Sequence, residues 1–130
     1  MSLSSRIAAL AARIGTEFKA EEVDLALHIT AGFTGTLTLH KTGSSLAMLT
    51  GSLSRSAGGV IGPTLSNTTL AQLPAALYPV GVVTFSGRSS APGDGFAQAG
   101  IAISSAGVLS INGQRSTDTN VFFGGTYTLR

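Results

Sequence analysis

Residues with the chemistry for catalysis or metal binding are few and scattered along this sequence. The chain has no cysteine and only two histidines, His28 and His40, which do not share a ligand spacing. A metal site needs several His, Cys, Asp or Glu side chains that converge on one point. The acids Asp94 and Asp118 fall in separate predicted loops, and no pattern makes them a general acid and base pair. The sequence therefore predicts no bound metal and no cofactor.

Nucleophilic and phosphate-binding motifs are also missing from the sequence. No serine stands in a Gly-x-Ser-x-Gly pattern, and no histidine or acid has a recognisable relation to one. Gly93-Asp94-Gly95 lacks the third glycine and the following helix of a dinucleotide-binding loop. We therefore expect a protein that is not an enzyme.

Three polar segments, residues 55–63, 87–96 and 114–120, are predicted to be exposed loops. They combine arginine, acids, amides and serines with single aromatic residues, a mixture suited to contacts with sugar hydroxyls or with another protein. The alternative is that they are ordinary solvated turns. The candidate ligand-binding residues in these segments are Arg55, Arg88, Asp94, Phe96, Arg115 and Asp118.

The length and composition of the chain exclude several classes of protein. The chain has 130 residues, which is enough for one domain with a short appendage; 43% are hydrophobic and only 11% are charged. The net charge of +2 comes from basic residues that are scattered singly, whereas nucleic-acid binding usually needs a concentrated basic face. No apolar stretch has the roughly 20 clean residues of a membrane-spanning helix. Neither nucleic acid nor a membrane is an expected partner.

The first 21 residues have the pattern of a short amphipathic helix. Apolar residues recur at intervals of four and three in a narrow stripe of the coiled-coil type. The stripe, which we predict to be the trimerisation seam, consists of Leu3, Ile7, Leu10, Ile14 and Phe18. A helix packed on its own domain gives a similar pattern, and the heptad positions alone do not distinguish a dimer from a trimer.

After a predicted linker at residues 22–35, the hydrophobic period changes from that of a helix to that of a strand. Leu37 and Leu39 alternate with polar residues, and Lys41-Thr42-Gly43 is typical of a hairpin turn. A second hairpin is predicted around Ser105-Ala106-Gly107. Residues 36–130 are thus predicted to form a β domain. The expected fold is mainly β, with the helix followed by a small antiparallel sandwich or barrel of about six strands.

The order of these features resembles the C-terminal domain of bacteriophage tail-fibre and minor tail proteins, especially those of actinobacteriophages. The matching elements are the N-terminal helix, the Lys41-Thr42-Gly43 turn, the hairpin at 101–111 and the final strand at 121–129. The segment Leu73-Pro74-Ala75-Ala76-Leu77-Tyr78-Pro79 loosely matches a Leu-Pro-Ala-x-Tyr-x-Pro segment of that family.

This resemblance implies a non-enzymatic homotrimeric virion protein, assembled in the bacterial host cytoplasm, with three helices on the axis and β domains outside. Its implied partners are other copies of itself, other virion proteins and a glycan of the host envelope. A tail-fibre or receptor-binding role is preferred. A trimeric capsid decoration protein or head fibre is the alternative, and a monomeric carbohydrate-binding module is a further one.

Overall fold

The computed structural model describes residues 2–17, 20–43, 45–56, 59–62 and 67–130. Over these ranges the chain forms one helix and eight strands, with short 3₁₀ turns at Ala26–His28 and Ala75–Leu77. Helix α1 spans Leu3–Glu17. The strands are β1 (Ala20–Asp24), β2 (Phe33–Thr42), β3 (Leu46–Arg55), β4 (Thr68–Gln72), β5 (Val83–Ala91), β6 (Gly95–Ile103), β7 (Val108–Asn112) and β8 (Asn120–Thr128). The predicted mainly β fold is confirmed.

All eight strands belong to one curled antiparallel sheet with the order β1-β2-β3-β8-β5-β6-β7-β4. The last strand of the chain therefore lies in the middle of the sheet. An isolated bridge joins Ile29, just after β1, to Ala71 on β4, and the Thr30 amide donates to the Leu70 carbonyl at 2.9 Å. Because β1 and β4 are the two edge strands, this bridge brings the edges of the sheet together.

Strand register defines two ends of the curled sheet. At the helix end, β1 begins at Ala20 opposite Thr42, where β2 finishes, so that α1 enters from this side. At the loop end, β3 finishes at Arg55 and β6 begins at Gly95. Ser56 and the segments at 92–94 and 113–119 lie at the loop end because they follow or precede strands that terminate there.

Alternation along the strands produces the core. One side of each pleated strand faces inward, and those positions carry leucine and isoleucine, which are almost wholly shielded from solvent. The largest fully buried aliphatic side chains of the strands are Leu37, Leu39, Leu49, Leu53, Leu70, Ile101, Ile103, Leu109 and Ile111. The two predicted hairpins are present as β2–β3 and β6–β7, and Gly43 and Gly107 adopt positive φ of 65° and 79° in their turns.

The structure differs from the sequence prediction in the number and length of strands. The structure has eight strands where about six were predicted, and the predicted linker at 22–35 starts inside β1 and ends inside β2. The acids of β1 suit the solvent-facing edge of a sheet, where charge discourages pairing with other chains. The predicted loop at 87–96 is also wrong, since β5 extends to Ala91 and β6 begins at Gly95, leaving only residues 92–94 as the turn.

Helix α1 is capped by a serine, and the part of its apolar stripe that is described is exposed. The Ser5 amide donates to Ser2 Oγ at 3.2 Å, which makes Ser2 the N-terminal cap. Leu3, Ile7 and Leu10 are 57–73% exposed, so this part of the stripe is not packed on the sheet of its own chain. Phe18 lies outside the described residues, and the side chain of Ile14 is not described either.

From the environment of Tyr127 we predict that the folded protein loses stability at alkaline pH. Its hydroxyl is buried and donates to the Leu77 carbonyl at 2.9 Å, and burial raises the pKa of the phenol to about 12. In the unfolded chain the phenol ionises near its ordinary value of 10. The contribution of Tyr127 to folding is therefore complete below pH 10 and falls as the pH rises towards 12.

Urea unfolding of the wild type and of Tyr127→Phe at several pH values tests this expectation. The difference in free energy of unfolding between them, about 1 kcal/mol at neutral pH from the lost hydrogen bond, shrinks above pH 10. A difference that stays constant up to pH 11.5 contradicts the assignment.

Candidate functional site

A groove of about 610 Å³ lies on the outer face of the sheet, where β5, β6 and β8 run side by side. Pairing in register places Arg88 of β5 between Gln98 of β6 and Phe122 of β8. Ser86 and Gly124 continue the same outward-facing rows, and Phe96 stands beside Ser90 at the loop end of β6. We call these six residues the outer groove: Ser86, Arg88, Phe96, Gln98, Phe122 and Gly124.

Two aromatic rings and one guanidinium form the centre of the outer groove. The Phe96 and Phe122 rings meet edge to face with their centroids 5.8 Å apart, a favourable geometry for aromatic pairs. The guanidinium carbon of Arg88 lies 5.0 Å from the Phe96 centroid, within the range of a cation–π interaction. Phe96 nevertheless remains 61% exposed. An aromatic surface and a positioned cation are thus both presented to solvent.

The polar groups of the outer groove add hydrogen-bonding capacity without negative charge. Arg88 offers guanidinium donors, Gln98 offers an amide with donors and an acceptor, and Ser86 offers a hydroxyl. Gly124 has no side chain, so nothing fills the floor of the outer groove at that position of β8. A concave surface with aromatic walls and a few polar groups is typical of small-ligand sites. This combination suits a ligand with apolar C–H faces and hydroxyl groups.

An ion pair between a buried carboxylate and a partly exposed guanidinium lies at the loop end, next to the outer groove. Arg115 Nε and Nη2 both lie 2.9 Å from Asp118 Oδ1, and the Arg115 amide donates to Asp118 Oδ2 at 2.7 Å. Ser89 Oγ donates to the same Oδ2 at 2.6 Å. We call Asp118, Arg115 and Ser89 the loop clamp. Asp118 is 0% exposed, so its carboxylate is satisfied entirely by protein groups.

The loop clamp also fixes the start of β6. Arg115 Nη1 donates to the Asp94 carbonyl at 3.0 Å, and Nη2 donates to the Gly95 carbonyl at 2.6 Å. Phe96 is the next residue along the chain. The loop at 113–119 and the turn at 92–94 are therefore joined at the point where the aromatic wall of the groove begins.

The pKa of Asp118 reflects this environment. Burial by itself raises the pKa of the carboxyl, but the hydrogen bonds from Ser89 and Arg115 and the charge of Arg115 outweigh it, so that the pKa lies below its ordinary value of 3.8. The carboxylate is therefore ionised at neutral pH. It is a buried anion at the loop end of the sheet, held in place by Ser89 and Arg115.

The residues proposed from the sequence separate into four places. Arg88 and Phe96 meet in the outer groove, whereas Asp118 and Arg115 form the loop clamp next to it. Asp94 is exposed in the turn between β5 and β6, where its carboxylate is 3.5 Å from the Thr117 hydroxyl. Arg55 stands at the end of β3 with its guanidinium 5.0 Å from the Phe33 centroid, and it does not line the groove.

Phe122, Gln98, Ser86 and Gly124 were missed by sequence reasoning. A signal for Phe122 was present, because Phe122 and Phe123 are consecutive residues of a predicted strand. Consecutive side chains point to opposite faces, so one of the two rings had to face outward. Phe123 is buried and Phe122 lines the outer groove.

The described ranges, residues 2–17, 20–43, 45–56, 59–62 and 67–130, contain neither a metal-binding cluster nor a helix that could span a membrane. There, no three His, Cys, Asp or Glu side chains come close enough to hold a metal ion. In the same part of the chain, no helix has the length and apolar character to span a membrane.

The fold is similar to that of two solved phage proteins. The receptor binding protein of Listeria phage PSA superposes with a TM-score of 0.75 at 21% identity, over 98% of this chain and 75% of that one. The head domain of phage bIL170, described among the receptor binding domains of lactococcal phages, superposes with a TM-score of 0.64 at 16% identity, over 85% of this chain and all of that one. No protein-family model and no curated protein matches the sequence.

Proposed function

We propose that this chain is the receptor-binding domain of a phage tail appendage, a non-enzymatic virion protein that binds a glycan of the bacterial envelope. The observation that carries the proposal is the outer groove, in which Arg88, Phe96 and Phe122 present aromatic and donor groups together. The likeness of the fold to that of two phage receptor-binding structures supports it. Sugar rings match the groove because they combine apolar C–H faces with hydroxyls.

The position of the groove along the domain also supports this function. Helix α1 enters at the helix end, whereas Arg88 and Phe96 lie towards the opposite end of β5 and β6. A domain attached to the particle through α1 therefore turns the groove away from the attachment point. This arrangement suits an appendage that meets a cell surface at its tip.

Assembly into a homotrimer through α1 is part of the proposal. The exposed side chains of Leu3, Ile7 and Leu10 form an apolar stripe without a partner in the chain's own sheet. Burying this stripe between parallel copies stabilises the helix, because an isolated helix of 15 residues is marginal in water.

An array of bacterial envelope glycans tests the receptor function. We expect the wild type to bind at least one glycan, and we expect Phe96→Ala and Arg88→Ala each to weaken that binding by about tenfold, the effect of losing roughly 1.4 kcal/mol. Arg55→Ala is the matched control, since it removes a cation that stacks on a phenylalanine outside the groove. It should leave binding unchanged.

Two results would contradict the proposal. An array on which the wild type binds nothing would favour the capsid decoration alternative. Binding that survives Phe96→Ala and Arg88→Ala but is lost with Arg55→Ala would move the site to the loop end near Phe33.

A further inference from the structure

An asparagine followed by a glycine, Asn112-Gly113, lies where β7 ends. Asparagine is one of the residues that proteins lose chemically with time and heat. Both residues of the pair are exposed. Gly113 has a positive φ of 81°, and a Cβ built on it would meet no atom of the described residues within 4 Å beyond its chain neighbours. The backbone nitrogen of Gly113 is therefore not shielded by a side chain of its own.

The other two asparagines of the chain do not share this arrangement. Asn67 is exposed, but it is followed by Thr68, whose branched side chain shields the next backbone nitrogen. Asn120 is half-buried and is followed by the buried Val121. The Asn120 Oδ1 also accepts from Ser54 Oγ at 2.5 Å, which holds its side chain in place. Exposure and an unshielded neighbouring nitrogen thus coincide only at Asn112.

We propose that Asn112 is a site of spontaneous covalent modification in the folded protein, where its side-chain amide is converted to a carboxylate. In the first step the Gly113 amide nitrogen attacks Asn112 Cγ. A bond forms between these two atoms, the bond from Cγ to Nδ2 breaks, and the amide proton leaves with the side-chain nitrogen as ammonia. The product is a five-membered succinimide.

Water then opens the succinimide at one of its two carbonyls. Addition at Cγ breaks the new bond to nitrogen and gives aspartate at position 112. Addition at the main-chain carbonyl breaks the original peptide bond and gives isoaspartate, in which the backbone runs through the former side chain. The whole conversion consumes one water and releases one ammonia, so that no oxidant, cofactor or enzyme is required.

The local structure permits the ring to close. Closure requires the backbone at Asn112 to rotate until the Gly113 nitrogen faces Cγ. Asn112 is the last residue of β7, and the ends of elements open at a small free-energy cost. The Asn112 Nδ2 donates to Asn67 Oδ1 at 2.9 Å. This hydrogen bond engages the nitrogen that departs and not the carbon that is attacked.

The new carboxylate would lie on the face of the sheet that carries the outer groove. Asn112 is paired with Gly100 of β6, and residues directly opposite each other share a face. Gln98 of the outer groove is the diagonal neighbour on β6, about 7–8 Å away. The conversion lowers the formal net charge from +2 to +1, because it adds one negative charge. The domain thus acquires an anion beside a groove whose lining contains no acid.

Peptide mass mapping of the purified protein, stored at mildly alkaline pH and physiological temperature, tests the proposal. We expect the acid form to accumulate at Asn112 as a mixture of aspartate and isoaspartate. It should accumulate faster as the pH rises, because the deprotonated amide nitrogen is the nucleophile. Isoelectric focusing should show a species of lower pI, and an isoaspartate-specific methyltransferase should label it. Asn67 and Asn120 are internal controls and should remain amides.

Two variants separate the proposed chemistry from other routes to the acid. Gly113→Asp shields the attacking nitrogen, and aspartate tolerates a left-handed backbone better than most residues. Asn112→Gln keeps the amide at an exposed position but requires a six-membered ring, which closes far more slowly. We expect both variants to lose the acid form at position 112, down to the level at Asn67. Thermal unfolding of each variant checks that it is folded, and Asn112→Gln leaves the glycine turn unchanged.

The outcomes decide the proposal without reference to the function of the outer groove. Conversion at Asn112 in the wild type that is lost in both variants supports it. An Asn112 that remains an amide over an interval in which the urea-unfolded chain is converted overturns it, because the fold would then protect the site. Conversion that is equally fast at Asn67, or that persists in Asn112→Gln, also overturns it. Glycan binding is decided separately by Phe96→Ala.

Discussion

Replacing Asp118 with alanine lowers the free energy of unfolding by about 3 kcal/mol. Its carboxylate is fully buried and accepts from Ser89 Oγ, the Arg115 amide and the Arg115 side chain. Removing it leaves Ser89 and the Arg115 amide without their acceptor and takes the counter-ion from a partly buried guanidinium, which costs about 3–5 kcal/mol when the pair is fully buried. Arg115 is about one-third exposed, so the lower end of that range applies.

Urea unfolding of Asp118→Ala and Asp94→Ala checks this value. Asp94 is the matched control because it is an exposed carboxylate in the adjoining turn, with one long contact to Thr117. Its replacement should change stability by no more than about 0.5 kcal/mol. Equal effects of the two substitutions would show that the loop clamp does not stabilise the fold.

The lowered pKa of Asp118 adds a dependence on pH with a definite sign. A carboxyl whose pKa is lower in the folded than in the unfolded state stabilises the fold at pH values above the unfolded pKa, near 3.8 here. That contribution is lost as the pH falls through the folded pKa. The stability difference between the wild type and Asp118→Ala should therefore be constant above pH 5 and should shrink at more acidic pH.

We expect Gly124→Val to weaken the proposed glycan binding by the outer groove while leaving the fold intact. A Cβ at Gly124 meets only Thr50 Cγ2 at 3.6 Å and the Leu49 carbonyl at 3.8 Å, which are ordinary contacts. The valine side chain therefore points outward into the groove without disturbing the core. Filling the floor beside Phe122 excludes a sugar ring, and we expect a loss of at least tenfold in affinity, equivalent to about 1.4 kcal/mol.

Gly100→Val is the matched control for this experiment. Gly100 is an exposed glycine of β6, and a Cβ there meets only the Asn112 carbonyl at 3.6 Å, but the residue does not line the groove. Both variants should have a thermal stability close to that of the wild type, since valine favours strands. Unchanged glycan binding by Gly124→Val would place the ligand elsewhere on the domain.

The core strands and hairpins could be predicted from local pattern. The alternating leucines of β2 and β3 are visible within a single strand. The glycines of the two hairpin turns, which adopt positive φ in the structure, are equally local signals. The fold is shared with phage proteins at 16–21% identity. Such a likeness is understandable where alternation and turn chemistry, rather than particular residues, specify the sheet.

Other features depend on pairing between distant segments and could not be predicted locally. The run from Gly87 to Ala91 contains serines and glycine and was predicted to be a loop, but pairing with β6 and β8 on both sides holds it as a strand. β1 is rich in acids and forms a strand only because β2 is beside it. Tertiary pairing overrides local preference in both segments.

The candidate site was only partly visible in the sequence for the same reason. Arg88 and Phe96 were identified as ligand-binding candidates, but Phe122 joins them only because β8 is inserted between β3 and β5. Arg115 and Asp118 were assigned to ligand-binding loops from residue type. In the structure they bond to each other and Asp118 is buried. They therefore belong to the loop clamp beside the outer groove and not to its lining.

An NMR titration of the isotope-labelled protein with a glycan that binds on the array tests most directly whether the outer groove is the glycan-binding site of this domain. We predict that chemical-shift changes concentrate at the amides of Arg88, Phe96, Phe122 and Gly124 and at the Gln98 side chain. Changes that cluster instead around Leu27 and Val60 at the loop end, with the groove unaffected, would contradict the claim.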